Sequence, residues 1–148
     1  MPDTGVNIPL ELLSEEAFAP FGRLIQFSQH PEDPRFEVVI REEIEPWRIA
    51  MFRVRQRTAE RLECHPTSME SFEPVSGIGV LLCAEPHAPD QLHAFLLDAP
   101  VCLYKAVWHE VITLSDEAIY KITENKEVHS EFHTFPFPVR FQITAPMK

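Results

Sequence analysis

Three ionisable side chains lie close together in one short stretch of the sequence. In LECHPTSMESFEPVSG, residues 62–77, the side chains Glu63, His65 and Glu70 fall between two aliphatic runs. Side chains two apart on an extended strand share a face, so Glu63 and His65 point the same way. A turn around Pro66 would then bring Glu70 back towards them. An imidazole and carboxylates that converge on one point can bind a divalent metal.

A second segment supplies the groups that this stretch lacks. VCLYKAVWHEV, residues 101–111, contributes a further histidine, His109, and places Lys105 in an otherwise apolar run. Imidazole titrates near neutral pH, so His65 and His109 are suited to proton transfer. The compact ammonium of Lys105 can hold a carboxylate. The candidate metal ligands are Glu63, His65, Glu70 and His109.

The remaining sequence predicts an all-β domain that would position these groups. The 148 residues suit one domain, 1–148, with a real core. Short apolar segments separated by turn residues, with 14 prolines and only 4 glycines, are typical of a sandwich or barrel. The predicted strands cover residues 23–27, 36–40, 47–55, 79–84, 93–97, 101–104, 109–114, 118–122 and 139–143.

One short helix is predicted near the N-terminus, in LSEEAFAPFG. Ser14 is a suitable N-cap, and Glu15 and Glu16 lie in the first turn, where the helix dipole favours negative charge. Pro20 is expected to end the helix.

Composition excludes several classes of function. The net charge of −10 argues against binding to nucleic acid or to anionic membranes, because both require a positive patch. No apolar run approaches the roughly 20 residues of a membrane span. Three cysteines without a CxxC motif argue against a disulfide framework, and the N-terminus lacks a signal-peptide pattern. A cytoplasmic location is therefore expected.

The spacing of the first stretch resembles that of the cupin superfamily. Glu63-x-His65, four residues, Glu70, six residues and Gly77 is similar to the cupin motif of histidine-x-histidine, four residues, glutamate, six residues and glycine. A later strand of cupins adds another histidine, for which His109 is the counterpart. The resemblance implies a double-stranded β-helix, or jelly-roll, barrel that could hold a divalent metal.

A closer resemblance covers most of the chain. The segments AFAPFGRLI, ECHPTSMESFEPV and VCLYKAVWHEV look like the three signature regions of the ureidoglycolate lyase family. That family has a cupin-type fold, usually forms homodimers and cleaves ureidoglycolate to glyoxylate and urea in purine (allantoin) breakdown. The matching positions are Glu63, His65, Pro66, Phe72, Pro74, Val101, Val107, Trp108 and His109. The sequence departs from the family pattern at Cys64, Met69, Glu70, Tyr104 and Glu110.

The resemblance implies a carbon–nitrogen lyase that acts on a small carboxylated ureido or hemiaminal substrate. The expected catalytic residues are Glu63, His65, Lys105 and His109. The expected substrate-binding residues are Glu70, Tyr104, Lys105 and Trp108. By strand parity, Tyr104 and Trp108 do not share a face with Lys105 and His109, so Trp108 also fits the core.

Two alternatives remain open from the sequence. One is a metal-dependent cupin enzyme that acts on another small carboxylic acid. The other is a module that binds a small carboxylate without catalysis. Turnover of ureidoglycolate would separate the lyase from both.

Overall fold

The computed structural model describes residues 5–43 and 46–142. These residues form eleven strands and one short helix, which confirms the predicted all-β fold with a short N-terminal helix. In chain order the elements are β1 (Val6–Glu11), α1 (Glu15–Phe18), β2 (Gly22–Leu24), β3 (Trp47–Val54), β4 (Ala59–Cys64), β5 (Glu70–Ser76), β6 (Gly79–Ala84), β7 (His93–Leu97), β8 (Val101–Leu103), β9 (Trp108–Thr113), β10 (Ala118–Asn125) and β11 (Glu131–Gln142).

The strands form two sheets. Six of them close into a barrel in the order β1-β11-β4-β9-β6-β7, and five form an open sheet in the order β2-β8-β5-β10-β3. From β4 to β11 the chain alternates between the two sheets, except where β6 and β7 form a hairpin. This alternation between two sheets is the connectivity of a jelly roll, as the cupin resemblance implies.

Two apolar clusters hold these layers together. The barrel core draws on all six barrel strands and consists of Ile8, Ala59, Leu62, Val80, Leu82, Ala84, Ala94, Ile112 and Val139. The sandwich core lies between the barrel and the open sheet, and its largest members are Phe18, Phe21, Phe72, Phe95 and Tyr120. Neighbouring residues of β9 therefore face different cores, because side chains alternate along a strand.

Helix α1 begins and ends close to the predicted positions. The Oγ of Ser14 accepts a hydrogen bond from the Ala17 N–H at 3.1 Å, and the C-cap is Ala19, just before the expected stop at Pro20. Phe18 is fully buried and packs into the sandwich core. Among the described residues, no helix has the length and apolar character that crossing a membrane requires.

The prediction of a strand at residues 36–40 is wrong. This segment belongs to an irregular connection between β2 and β3, where Phe36 and Val38 are exposed. Its strand-like residues pair with no described strand, although the outer edges of β2 and β3 are open, so local β propensity alone does not place them in the sheet. The strand predicted for residues 23–27 likewise stops at Leu24, although the Ile25 N–H still donates to the Pro100 carbonyl.

Strand β11 is much longer than the predicted strand at 139–143, whose last residue lies outside the described part of the chain. It contains Pro136 and Pro138, which cannot donate to a ladder. Both lie where the register with β4 shifts, between Thr134 and Val139. The irregularity accommodates the prolines, so the strand continues through them.

Candidate active site

Three of the predicted functional side chains converge between the two sheets. The Oε2 of Glu70 lies 2.8 Å from Nε2 of His109 and 3.1 Å from Nε2 of His65. The centroids of the two imidazole rings are 5.1 Å apart. All three residues are buried, with 6–7% of each exposed. We refer to His65, Glu70 and His109 as the His–Glu–His cluster.

The pairing of four strands brings this cluster together. Glu63 on β4 lies directly opposite His109 on β9, and His65 follows immediately after the end of β4. Glu70 begins β5 in the open sheet, opposite Leu103 on β8. The cluster thus joins one sheet to the other, as the turn around Pro66 predicts.

The backbone fixes the orientation of both rings. Nδ1 of His65 lies 3.1 Å from the His129 carbonyl, and Nδ1 of His109 lies 3.0 Å from the Val107 carbonyl. A carbonyl only accepts, so each Nδ1 carries a proton. Nε2 of each ring is left to face Glu70. A hydrogen bond from the opposite nitrogen in this way is the usual support of a metal-ligating histidine.

The atoms of the cluster fit a divalent cation. Oε2 of Glu70 is buried. It lies within 3.1 Å of Nε2 of both imidazoles, but it accepts no hydrogen bond of good geometry from either ring. One ligand atom from each residue lies within 4.8 Å of the other two. Two imidazole nitrogens and one carboxylate oxygen are a common donor set for divalent transition metals. The three residues can therefore hold a divalent metal.

Charge inside the cluster shifts the pKa of every member. Burial lowers the pKa of His109, but the Glu70 carboxylate outweighs it and raises that pKa to about 9. Burial likewise opposes protonation of His65, whose pKa Glu70 nevertheless raises. Burial raises the pKa of Glu70, and the two imidazoles outweigh this and bring it to about 2. Without a metal, these shifts favour an ionised Glu70 carboxylate beside a protonated His109.

Glu63 lies beside the cluster and outside it. Its Oε1 is 3.8 Å from Nε2 of His65 and accepts a hydrogen bond from the Ser130 hydroxyl at 2.6 Å. The same hydroxyl lies 3.3 Å from Nδ1 of His65. The structure thus gathers three of the four predicted metal ligands and leaves Glu63 as a partly exposed neighbouring carboxylate. The role of Ser130 was not predicted, because nothing in the sequence indicates that this residue contacts one 65 positions away.

Lys105 belongs to the turn that joins β8 to β9. Its Nζ lies 3.1 Å from a carboxylate oxygen of Glu42 in the long connection before β3. The next residue, Ala106, has φ of 67°, and its N–H donates to the His65 carbonyl at 2.9 Å. This left-handed conformation is rare for alanine. The turn therefore ties Lys105 to the backbone of one cluster histidine and leads directly into the strand that carries the other.

Two predicted substrate-binding residues lie away from the cluster. Trp108 packs against the barrel core, and its Nε1 donates to the Pro86 carbonyl at 3.0 Å. It occupies the opposite face of β9 from His109, which is the core position allowed by parity. Tyr104 is exposed and lines a separate cavity of 330 Å³ with Arg23.

Cavity size alone does not locate the chemistry. A cavity of 540 Å³ is lined by Trp47, Ile49 and Cys102 and contains no member of the cluster. A 310 Å³ cavity is lined by Glu63 and Glu110 and runs along the end of β3. Glu63 lines this smaller cavity, and its Oε1 lies 3.8 Å from Nε2 of His65.

No curated protein sequence matches this chain. A structure of oxalate decarboxylase from Bacillus subtilis, studied for its Mn(II) centres, is 19% identical, covers 60% of this chain and 23% of that chain, and has a TM-score of 0.46. A variant of the same enzyme is 19% identical and covers 72% of this chain and 35% of that chain, with a TM-score of 0.44. The chain thus spans only about a third or less of the length of these structures.

The sequence profile of one family matches nearly all of the chain. The match to the ureidoglycolate lyase family runs over residues 6–144. It includes every strand from β1 to β11 and all members of the His–Glu–His cluster. The chain belongs to the ureidoglycolate lyase family.

Proposed function

We propose that this protein is a lyase that cleaves ureidoglycolate to glyoxylate and urea. The family match supports a lyase. The observation that carries the proposal is the buried His–Glu–His cluster. In it, Nε2 of both imidazoles lies within 3.1 Å of Oε2 of Glu70. Such a group is costly to bury unless it binds something or is paired.

In this proposal His65, Glu70 and His109 hold a divalent metal. The metal would supply Lewis-acid polarisation of a substrate oxygen. The two imidazoles then serve as ligands through Nε2, so proton transfer falls to the neighbouring carboxylate of Glu63. The Nδ1 hydrogen bonds to backbone carbonyls keep both rings in place.

Glu63 is the proposed carrier of the proton that the reaction moves. Ureidoglycolate carries a hydroxyl and a ureido nitrogen on the same carbon. When Glu63 accepts the hydroxyl proton, the oxygen forms a carbonyl with that carbon, the carbon–nitrogen bond breaks, and the departing nitrogen takes a proton back from Glu63. One carboxylate can perform both transfers, because the net change moves a single proton from oxygen to nitrogen. The Ser130 hydroxyl orients Glu63 through its 2.6 Å hydrogen bond.

Lys105 is the proposed cation for the substrate carboxylate. In the structure its ammonium is paired with Glu42. The substrate carboxylate would take the place of Glu42, since both are single negative charges that a compact ammonium can hold. The proposal places the reaction in purine breakdown. A cytoplasmic location agrees with three free, buried cysteines.

Product analysis tests the proposal. Metal-loaded protein incubated with ureidoglycolate should release glyoxylate and urea in equal amounts, faster than the substrate decays alone, and without ammonia. The variant Glu63→Gln should bind the metal but lose most turnover. Tight binding of ureidoglycolate without turnover would identify a carboxylate-binding module instead. Metal-dependent turnover of another small acid, with ureidoglycolate untouched, would identify a different cupin enzyme.

A further inference from the structure

A second ion pair lies beside Glu70 on the same face of the open sheet. Glu124 on β10 is directly opposite Glu70 on β5, and Arg48 on β3 is directly opposite Glu124. Directly opposite residues on neighbouring strands share a face. Burial agrees with this orientation, because Tyr120, Ile122 and Glu124 alternate along β10 and are all buried. Glu124 therefore faces the space between the sheets, on the side of the His–Glu–His cluster.

Arg48 belongs to the inward face of β3. Ala50 and Phe52 follow it at two-residue spacing and pack against the sandwich core. The side chain of Arg48 is 49% exposed, whereas that of Glu124 is only 7% exposed. The guanidinium thus lies where the inward face of the sheet meets solvent, within reach of a molecule that enters from outside.

This arrangement places two buried carboxylates directly opposite each other. Like charges in such positions destabilise a sheet, and each acid here has a separate cationic partner. Glu70 lies against the two imidazoles, and Oε2 of Glu124 accepts hydrogen bonds from Nε and Nη2 of Arg48 at 2.9 and 2.7 Å. Apolar residues in place of a desolvated ion pair are often at least as stable. The pair beside the cluster therefore points to recognition of a polar group.

The pair retains one acceptor and one donor for such a group. Both hydrogen bonds from Arg48 end on Oε2 of Glu124. Within the described part of the chain, no hydrogen bond involves Oε1 of Glu124 or Nη1 of Arg48. A ureido group offers the matching atoms, because its carbonyl oxygen accepts and its terminal NH2 donates.

The same pair adjoins the proposed subsite for the substrate carboxylate. Glu124 and Glu42 both line the cavity of 540 Å³, and Glu42 is the partner of Lys105. Neighbouring strands are about 4.8 Å apart, so Glu124 lies about one strand spacing from Glu70. This is the scale of a small ureido acid, whose ureido group is only a few bonds from its carboxylate.

We propose that Arg48 and Glu124 form the subsite for the ureido group of the substrate. Oε1 of Glu124 accepts a hydrogen bond from the terminal NH2, and Nη1 of Arg48 donates to the ureido carbonyl. As the carbon–nitrogen bond breaks, negative charge spreads from the departing nitrogen onto this carbonyl oxygen, where the guanidinium stabilises it. The inference rests on the proposed lyase function and names the residues that distinguish a ureido acid from other small carboxylic acids.

Two unreactive analogues test the role of Glu124. N-carbamoylglycine and N-acetylglycine differ only in the terminal NH2 or methyl group, and both lack the hydroxyl that cleavage requires. By calorimetry, the metal-loaded full chain should bind N-carbamoylglycine about tenfold more tightly. Glu124→Gln should reduce this preference to about threefold or less, because a neutral amide is a weaker acceptor. Glu73→Gln removes a carboxylate paired with Lys121 on the same sheet and should keep the preference.

Arg48 is tested by binding and by kinetics together. Arg48→Gln should weaken both analogues, because both retain the carbonyl, and should lower kcat for ureidoglycolate at least about tenfold. Arg48→Lys keeps a cation and should recover part of kcat. An unchanged kcat in Arg48→Gln would overturn the role of Arg48.

The binding results and the turnover results are separable. Equal affinity of the wild type for the two analogues, no binding of either, or an unaltered preference in Glu124→Gln would overturn the ureido subsite. Turnover of ureidoglycolate with equal analogue binding would overturn the subsite and leave the reaction in place. A preference for N-carbamoylglycine that depends on Glu124, without turnover, would support the subsite and overturn the reaction.

Discussion

Glu70 lies between two imidazoles, and its negative charge decides how they are protonated. The sequence could predict that Glu63, His65, Glu70 and His109 lie near one another, because strand parity and one proline turn relate three of them. It could not predict that Glu63 stays outside the cluster. That depends on the hydroxyl of Ser130, which reaches Glu63 only through the pairing of β11 with β4.

Removing the charge of Glu70 should lower the pKa of His109. In metal-free Glu70→Gln, burial acts on the imidazole without an opposing carboxylate, so the pKa of His109 should fall from about 9 to 6.5 or below. NMR titration of the histidine ring signals measures this shift. Glu124→Gln removes another buried carboxylate, one that is paired with Arg48, and should leave His109 unchanged. An unaltered His109 in Glu70→Gln would contradict the described charge coupling.

Lys105→Ala should weaken substrate binding more than it slows the chemistry. Loss of the ammonium removes a contact to the carboxylate that is present both before and during bond cleavage, so KM should rise roughly tenfold while kcat changes little. Steady-state kinetics with ureidoglycolate measure both. Lys121 on β10 is paired with Glu73 at similar exposure, and Lys121→Ala is the matched control. A large fall in kcat with KM unchanged would assign Lys105 a different role.

At the scale of elements, local patterns predict which residues share a face but not which face is covered. The alternation of Trp47, Ile49 and Met51 on β3 is real, yet these side chains point away from the core. The segment 36–40 has strand-like residues but pairs with no described strand. Both outcomes depend on the order of strands in the sheet, which is set by contacts between distant parts of the chain.

The turn before β9 stores strain at a position that supports both histidines. Ala106→Gly should relieve the left-handed conformation and stabilise the fold by about 1 kcal/mol, whereas Ala106→Val should destabilise it by more than about 1 kcal/mol. Urea unfolding measures both changes. Ala19, with φ of −50°, has ordinary helical geometry, so Ala19→Gly should bring no gain. Stabilisation by Ala19→Gly and not by Ala106→Gly would contradict this explanation.

At the scale of the whole molecule, the buried cluster links the stability of the metal-free protein to pH. The pKa of His109 is about 9 when folded and 6.5 when unfolded, so its contribution is complete below pH 6.5 and is lost as pH rises towards 9. The pKa of Glu70 is about 2 when folded and 4.5 when unfolded, so its contribution is complete above pH 4.5 and is lost as pH falls towards 2. Stability should therefore be greatest between pH 4.5 and 6.5.

Bound metal should abolish the loss of stability between pH 6.5 and 9. The metal binds neutral imidazoles, so metal-loaded protein should not lose stability between pH 6.5 and 9, whereas metal-free protein should. Urea midpoints across this range, with and without metal, provide the comparison. Above pH 9 the buried thiols of Cys64 and Cys102, whose pKa values are raised to about 11, add a further loss in both forms. Identical profiles from pH 6.5 to 9 would argue against metal binding at these imidazoles.

The most direct measurement is the metal content of the His–Glu–His cluster. Wild-type protein equilibrated with divalent manganese, cobalt, nickel or zinc and then freed of unbound ions should retain one equivalent of at least one of them. Glu70→Gln should retain at least about tenfold less of that metal, because one of its three ligands is gone. The folded control Glu124→Gln should match the wild type. Well under one equivalent of every metal in the wild type, or equal retention in Glu70→Gln, would contradict a metal site formed by His65, Glu70 and His109.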